Sequence, residues 1–153
     1  MMQGPGFTSH MDLALDQAQQ AAARGEVPVG AVLADPAGRV VAVAGNRTLA
    51  DHDPTAHAEI VAIRAACAAV RSQRLPRYRL WVTLEPCAMC AAAISAARIE
   101  VLYYGADDPR SGGVRHGARV FDHPQCHHRP QVYDGIRADE ARDLLQRFFK
   151  ERR

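Results

Sequence analysis

Two stretches decide the fold of this chain: Asp53-Pro54-Thr55-Ala56-His57-Ala58-Glu59 and Thr83-Leu84-Glu85-Pro86-Cys87-Ala88-Met89-Cys90. Asp53-Pro54 reads as a helix start, with proline at the first helical position, where no amide proton is missed. The alanine-rich segment behind it carries that helix to about Val70. Glu85-Pro86 opens another helix in the same way, Cys87 to Ala97, and Arg79 to Leu84 ahead of it reads as a strand.

Upstream, Ser9 can cap a helix running to about Arg24, with Met11, Leu15, Ala18 and Ala22 on one side and Gly25 ending it. Val29 to Ala34 and Arg39 to Ala44 read as strands joined by the turn Asp35-Pro36-Ala37-Gly38, an antiparallel hairpin. Downstream, Glu100 to Tyr104 is a further strand. After a Gly-, Pro- and His-rich stretch, Ile136, Ala141, Leu144, Leu145, Phe148 and Phe149 make a helical stripe. Strands alternating with helices imply an α/β fold, a three-layer α/β/α sandwich around a mixed central sheet. The length suits one domain over residues 1–153, with residues 1–9 expected to be flexible.

Bulk properties narrow the function. With 48% hydrophobic residues the expectation is a packed core, not disorder. A net charge of +2 is too small to imply nucleic acid by itself. Basic residues do cluster, however, at Arg71, Arg74, Arg77 and Arg79, and again from Arg142 to Arg153. No apolar run approaches a membrane span, and Met1 to His10 lacks the apolar stretch of a secretory signal. A cytoplasmic protein is expected, where four cysteines speak for metal or catalysis before disulfides.

The chemistry gathers at two helix starts. Cys87 and Cys90, three apart, share one helix face. The N-terminal dipole and free amides favour thiolate, the form that binds metal. With His57 they make a soft set suited to tetrahedral zinc, and three protein ligands leave a fourth position open for water. Glu59 is not a ligand and can move that water's proton. Taken singly, each piece has an ordinary reading: His57 as a buried histidine, the cysteines as small core residues, Glu59 as a surface charge. Jointly, with a strand between the two helix starts, they do not. Cys126-His127-His128, near His116 and His123, offers further ligand types but is read without a second metal, and Cys67 is read as core packing.

The joint pattern resembles the bacterial tRNA-specific adenosine deaminases, within the cytidine-deaminase-like superfamily of zinc enzymes. The resemblance also rests on Glu26-Val27-Pro28-Val29-Gly30-Ala31-Val32, Gly45-Asn46-Arg47 and Tyr104-Gly105-Ala106, and it runs from about His10 to Arg153. It implies a cytidine-deaminase-like fold, one Zn2+ per chain held by His57, Cys87 and Cys90, and Glu59 as the catalytic proton carrier. It implies hydrolytic conversion of the wobble adenosine of a tRNA anticodon to inosine. By the same resemblance Asn46 anchors the base and Ala58 contributes its backbone amide near the metal water. Asp108, with Asp107 beside it, falls where the family meets the neighbouring nucleotide. Phe149, in Phe148-Phe149-Lys150, belongs to an RNA-contacting last helix, although at least one of these two aromatics is expected in the core. The implied partners are a tRNA anticodon stem-loop and a second copy in a homodimer, with neither DNA nor membrane. Two rivals stand beside this reading: deamination of free guanine or a nucleoside at the same zinc site, and a non-catalytic RNA-binding partner subunit.

Overall fold

The computed structural model describes residues 8–152. The expected flexible opening segment therefore lies almost wholly outside the described residues, as does Arg153. The described chain runs α1 (Met11–Ala23), β1 (Gly30–Ala34), β2 (Val40–Gly45), α2 (Ala58–Val70), β3 (Arg79–Leu84), α3 (Ala88–Ala96), β4 (Val101–Ala106), a 3₁₀ turn (Val120–Asp122), β5 (Gln131–Tyr133) and α4 (Ala138–Glu151).

The strands form one mixed sheet in the order β2-β1-β3-β4-β5. β1 pairs antiparallel with β2 and β3, and β4 pairs parallel with β3 and β5. The hairpin forms as read: the Asp35 carboxylate accepts the Ala37 and Arg39 amides and closes the turn. Period-two alternation sends Val32, Ala34, Trp81, Val101 and Tyr103 to one face, where α1 and α4 cover them. The alternate residues Ala31, Leu33, Leu80, Val82, Leu102 and Tyr104 face α2 and α3. These three layers are the expected sandwich.

Three sequence expectations need correction. α2 begins at Ala58, not at Pro54. The Asp53 carboxylate accepts both the Thr55 amide, at 2.8 Å, and the Thr55 hydroxyl, at 2.7 Å, and this local turn diverts the chain before the helix can start. In α3, Cys87 is the capping residue and Pro86 stands outside the helix. In α1, His10 holds the cap position, and the Ser9 hydroxyl accepts the Met11 amide at 3.4 Å. The edge strand β5 has no counterpart in the sequence reading.

Candidate metal centre

α2 follows the edge strand β2 and α3 follows the central strand β3, so both helices begin at one end of the sheet and on the same face. Each starts on a residue with extended backbone, His57 and Cys87, and neither of these makes a side-chain capping bond. The positions where Ser, Thr, Asp or Asn would ordinarily satisfy the helix end thus carry candidate metal ligands. Cys90, a turn further into α3, is buried.

The three donors converge. Nδ1 of His57 lies 3.6 Å from Cys87 Sγ and 3.5 Å from Cys90 Sγ. All three donor atoms fall within 4.8 Å of one another. Tetrahedral zinc, with Zn–S near ~2.3 Å and Zn–N near ~2.0 Å, requires an N···S separation of about 3.5 Å. The donor set and its spacing fit that ion. The Cys87 thiol is lowered to about 4, first by the hydrogen bond from the Cys90 thiol, against its own burial, and further by His57. Cys90 is pushed the opposite way, chiefly by the same bond.

Glu59 lies in the first turn of α2, 4% exposed. Burial raises its acid to about 7, more than neighbouring His57 lowers it. A carboxyl poised near neutrality beside the metal ligands can both take and return a proton.

Asn46, at the end of β2, is also buried. Its side-chain oxygen accepts the Ala58 amide at 2.9 Å, and its backbone oxygen accepts Arg24 Nη2 at 3.0 Å. Asn46 therefore caps α2 from outside the helix, and the Ala58 amide, expected beside the metal water, is given to Asn46. Asp108 follows β4, and its Oδ1 accepts the Arg110 and Ser111 amides in a tight turn. Phe148 is buried, with Arg152 stacked 3.6 Å from its ring centroid, while Phe149 is 49% exposed. Phe149 lines an open groove of about 510 Å³ with Arg110, Arg142, Leu145, Gln146 and Lys150. Cys126 and His128 are engaged elsewhere, the Cys126 thiol with the His128 carbonyl and His128 Nε2 with that of Ile99. Cys67 packs, partly buried, against the core.

The sequence reading used Glu85 as a helix opening, His116 as a nearby ligand type and Glu26 within a matching stretch, but did not see them as loop anchors. Glu85 is 2% exposed and Glu26 is 1% exposed, and both accept hydrogen bonds from loop backbone and from one loop side chain each. A carboxylate held between apolar neighbours at an element boundary, as in Leu84-Glu85-Pro86, is the signal that could have marked them.

The chain is similar to known proteins over most of its length. Residues 7–106 match the zinc-binding region of cytidine and deoxycytidylate deaminases. A tRNA-specific adenosine deaminase of Agrobacterium fabrum is 56% identical over 146 residues, covering 95% of each chain. A solved structure from a study of A-to-I editing by tRNA:A34 deaminases at the wobble position of transfer RNA is 56% identical, with a TM-score of 0.87, covering 88% of this chain and 97% of that one. The guanine deaminase of Nitrosomonas europaea shares the fold, with a TM-score of 0.78 at 22% identity over 91% of this chain and 82% of its own. With its His57, Cys87 and Cys90 cluster and Glu59 beside it, the chain belongs to the zinc-dependent hydrolytic deaminases, among the relatives of the tRNA-specific adenosine deaminases.

Proposed function

We propose that this protein converts the wobble adenosine of a tRNA anticodon to inosine. The observation that carries the reading is a buried Glu59, raised to about 7, beside a His-Cys-Cys cluster in a chain 56% identical to a tRNA-specific adenosine deaminase. Bound zinc supplies the Lewis acidity that makes a water molecule nucleophilic at neutral pH. Glu59 accepts the proton released as that oxygen bonds to the purine carbon bearing the amine. It returns that proton to the ring nitrogen, then takes the remaining proton of the added hydroxyl as the carbonyl forms and passes it to the amine, which leaves as ammonia. Adenosine and water thus become inosine and ammonia. Asn46 and Asp108 line the approach to the base, and Phe149 meets the RNA outside the pocket.

One zinc per chain, a homodimer and a cytoplasmic setting belong to the same reading. The first is supported by a single sulfur-bearing donor trio among the described residues, the second by family resemblance, the third by the substrate. No described helix is long and apolar enough to cross a membrane. The test is purified protein with an adenosine-bearing anticodon stem-loop, inosine read by sequencing, and free guanine assayed in parallel. Inosine formed faster than guanine is consumed is the expected result; the reverse overturns the reading.

A further inference from the structure

Two loops flank the zinc cluster. Residues 46–57 link Asn46 to His57, and residues 107–117 leave β4 and fold back onto the start of α3. Each is tied to the core by one buried carboxylate. Glu85 Oε1 accepts the Asp108 amide at 2.9 Å and meets His116 Nδ1 at 2.7 Å. Its Oε2 accepts the Val114, Arg115 and His116 amides at 3.1, 2.9 and 3.1 Å. Glu26 accepts the Thr48 hydroxyl and the Leu49 amide on Oε1, and the Ala50 amide on Oε2 at 2.9 Å.

This is an unusual investment of charge. A buried carboxylate is expensive unless its lone pairs are filled, and here they are filled by chain that would otherwise be free loop. With the Glu85 oxygens taken in this way, the Glu85, Asp107 and His116 grouping reads as a loop anchor, not a metal site.

The Glu85 loop presses directly on the ligand-bearing helix. The Gly113 amide donates to the Pro86 carbonyl at 2.8 Å. A β-carbon on Gly113 would stand 2.5 Å from the Ala88 nitrogen, and one on Gly112 would stand 2.5 Å from the Glu85 carboxylate. Neither position can carry a side chain without shifting the wall of the zinc site. The same loop sends Arg110 into the groove lined by Phe149.

We propose that Glu26 and Glu85 are positioning residues for the deaminase reaction, two internal anchors that hold the walls of the pocket in their RNA-binding form before RNA arrives. The proposal rests on the tRNA reading above. Neither side chain needs to touch substrate. Without an anchor its loop samples other conformations, and only the competent fraction binds, so apparent affinity falls by that fraction while bound complexes react as before.

Glu85→Gln and Glu26→Gln test this. Glutamine keeps the volume but offers one accepting oxygen, and its NH2 group confronts donors. Zinc content, hydrogen exchange and steady-state kinetics on the stem-loop are measured for each. Glu85→Gln is expected to keep its zinc, raise KM about tenfold and leave kcat within about twofold. The amides of residues 108 and 114–116 should exchange at least tenfold faster, with the β3 and β4 amides unchanged. Glu26→Gln should do the same to the amides of Leu49 and Ala50. His116→Ala, which removes one of the five contacts on a half-exposed side chain, should raise KM two- to threefold and cannot collapse the core. Unchanged KM, or faster exchange spread evenly through the sheet, overturns the proposal. A wild type that makes no inosine overturns the tRNA reading instead, and the exchange measurement then decides the anchors alone.

Discussion

The side-chain oxygen of Asn46 accepts the backbone amide of Ala58 at 2.9 Å, so the residue expected to hold the base also caps the helix that carries His57 and Glu59. The proposed base anchor and the cap of the helix that carries the proposed proton carrier are thus one side chain. Asn46→Ala should leave the buried Ala58 amide unpaired and cost about 1–3 kcal/mol of stability. Asn46→Asp keeps the acceptor, at a helix N-terminus that favours negative charge, but loses the amide donor. Thermal unfolding should therefore separate the two variants while both lose deaminase activity. Equal destabilisation would show that the cap is not what Asn46 contributes.

The fold was largely legible because its signals are local. β3 spans Arg79–Leu84 as read, and β1 and β2 differ from the reading by a residue at their ends. Pro54 misled because Asp53 and Thr55 form their own turn, a side-chain competition that periodicity does not register. β5 escaped because Gln131–Tyr133 is a three-residue edge strand, too short for alternation, formed by pairing with β4 far earlier in the chain. The meeting of His57 with Cys87 and Cys90 was legible from the two helix starts that carry them. The anchors Glu26 and Glu85 were not, because most of their partners are backbone amides, which every residue but proline offers.

Cys87→Ser and Cys90→Ser should each lose zinc and much of the stability linked to it, because metal binding and folding are coupled. Cys126→Ser should keep its zinc, since that thiol meets the His128 carbonyl and Ser95, not the cluster. Metal analysis of the three purified variants checks this, and full occupancy in either of the first two removes the ligand assignment.

Glu59→Gln should retain zinc and fold yet lose kcat by roughly 10²–10⁴-fold, the usual worth of a positioned acid–base group. The same residue sets a pH dependence. Burial raises its acid to about 7 from an ordinary 4.5, and only the carboxylate form can accept a proton from water. In the wild type, kcat/KM should therefore fall as pH drops below about 7, approaching tenfold per pH unit, and level off above it. An acid limb centred near 4.5 would mean that burial does not govern Glu59 in the working enzyme.

The adjacent aromatics of α4 separate packing from recognition most sharply. Phe148 is 7% exposed and belongs to the core, so Phe148→Ala should cost about 3–5 kcal/mol of stability. Phe149 is 49% exposed in the groove with Arg110, Arg142 and Lys150, so Phe149→Ala should leave thermal unfolding nearly unchanged. An exposed ring beside cations is a surface on which an unpaired base can stack, and such stacking is worth about 1–3 kcal/mol per base. Phe149→Ala should accordingly raise KM for the stem-loop by roughly five- to a hundredfold, with zinc content intact. The neighbouring cations add a second signature. Phosphate contacts release counterions, so stem-loop activity should fall steeply between low and physiological salt, whereas turnover of an uncharged free base should barely respond. Measuring both substrates across one salt series, with wild type and Phe149→Ala, tests the groove directly. A flat salt response on RNA, or an unchanged KM in Phe149→Ala, would place RNA recognition on some other face of the molecule.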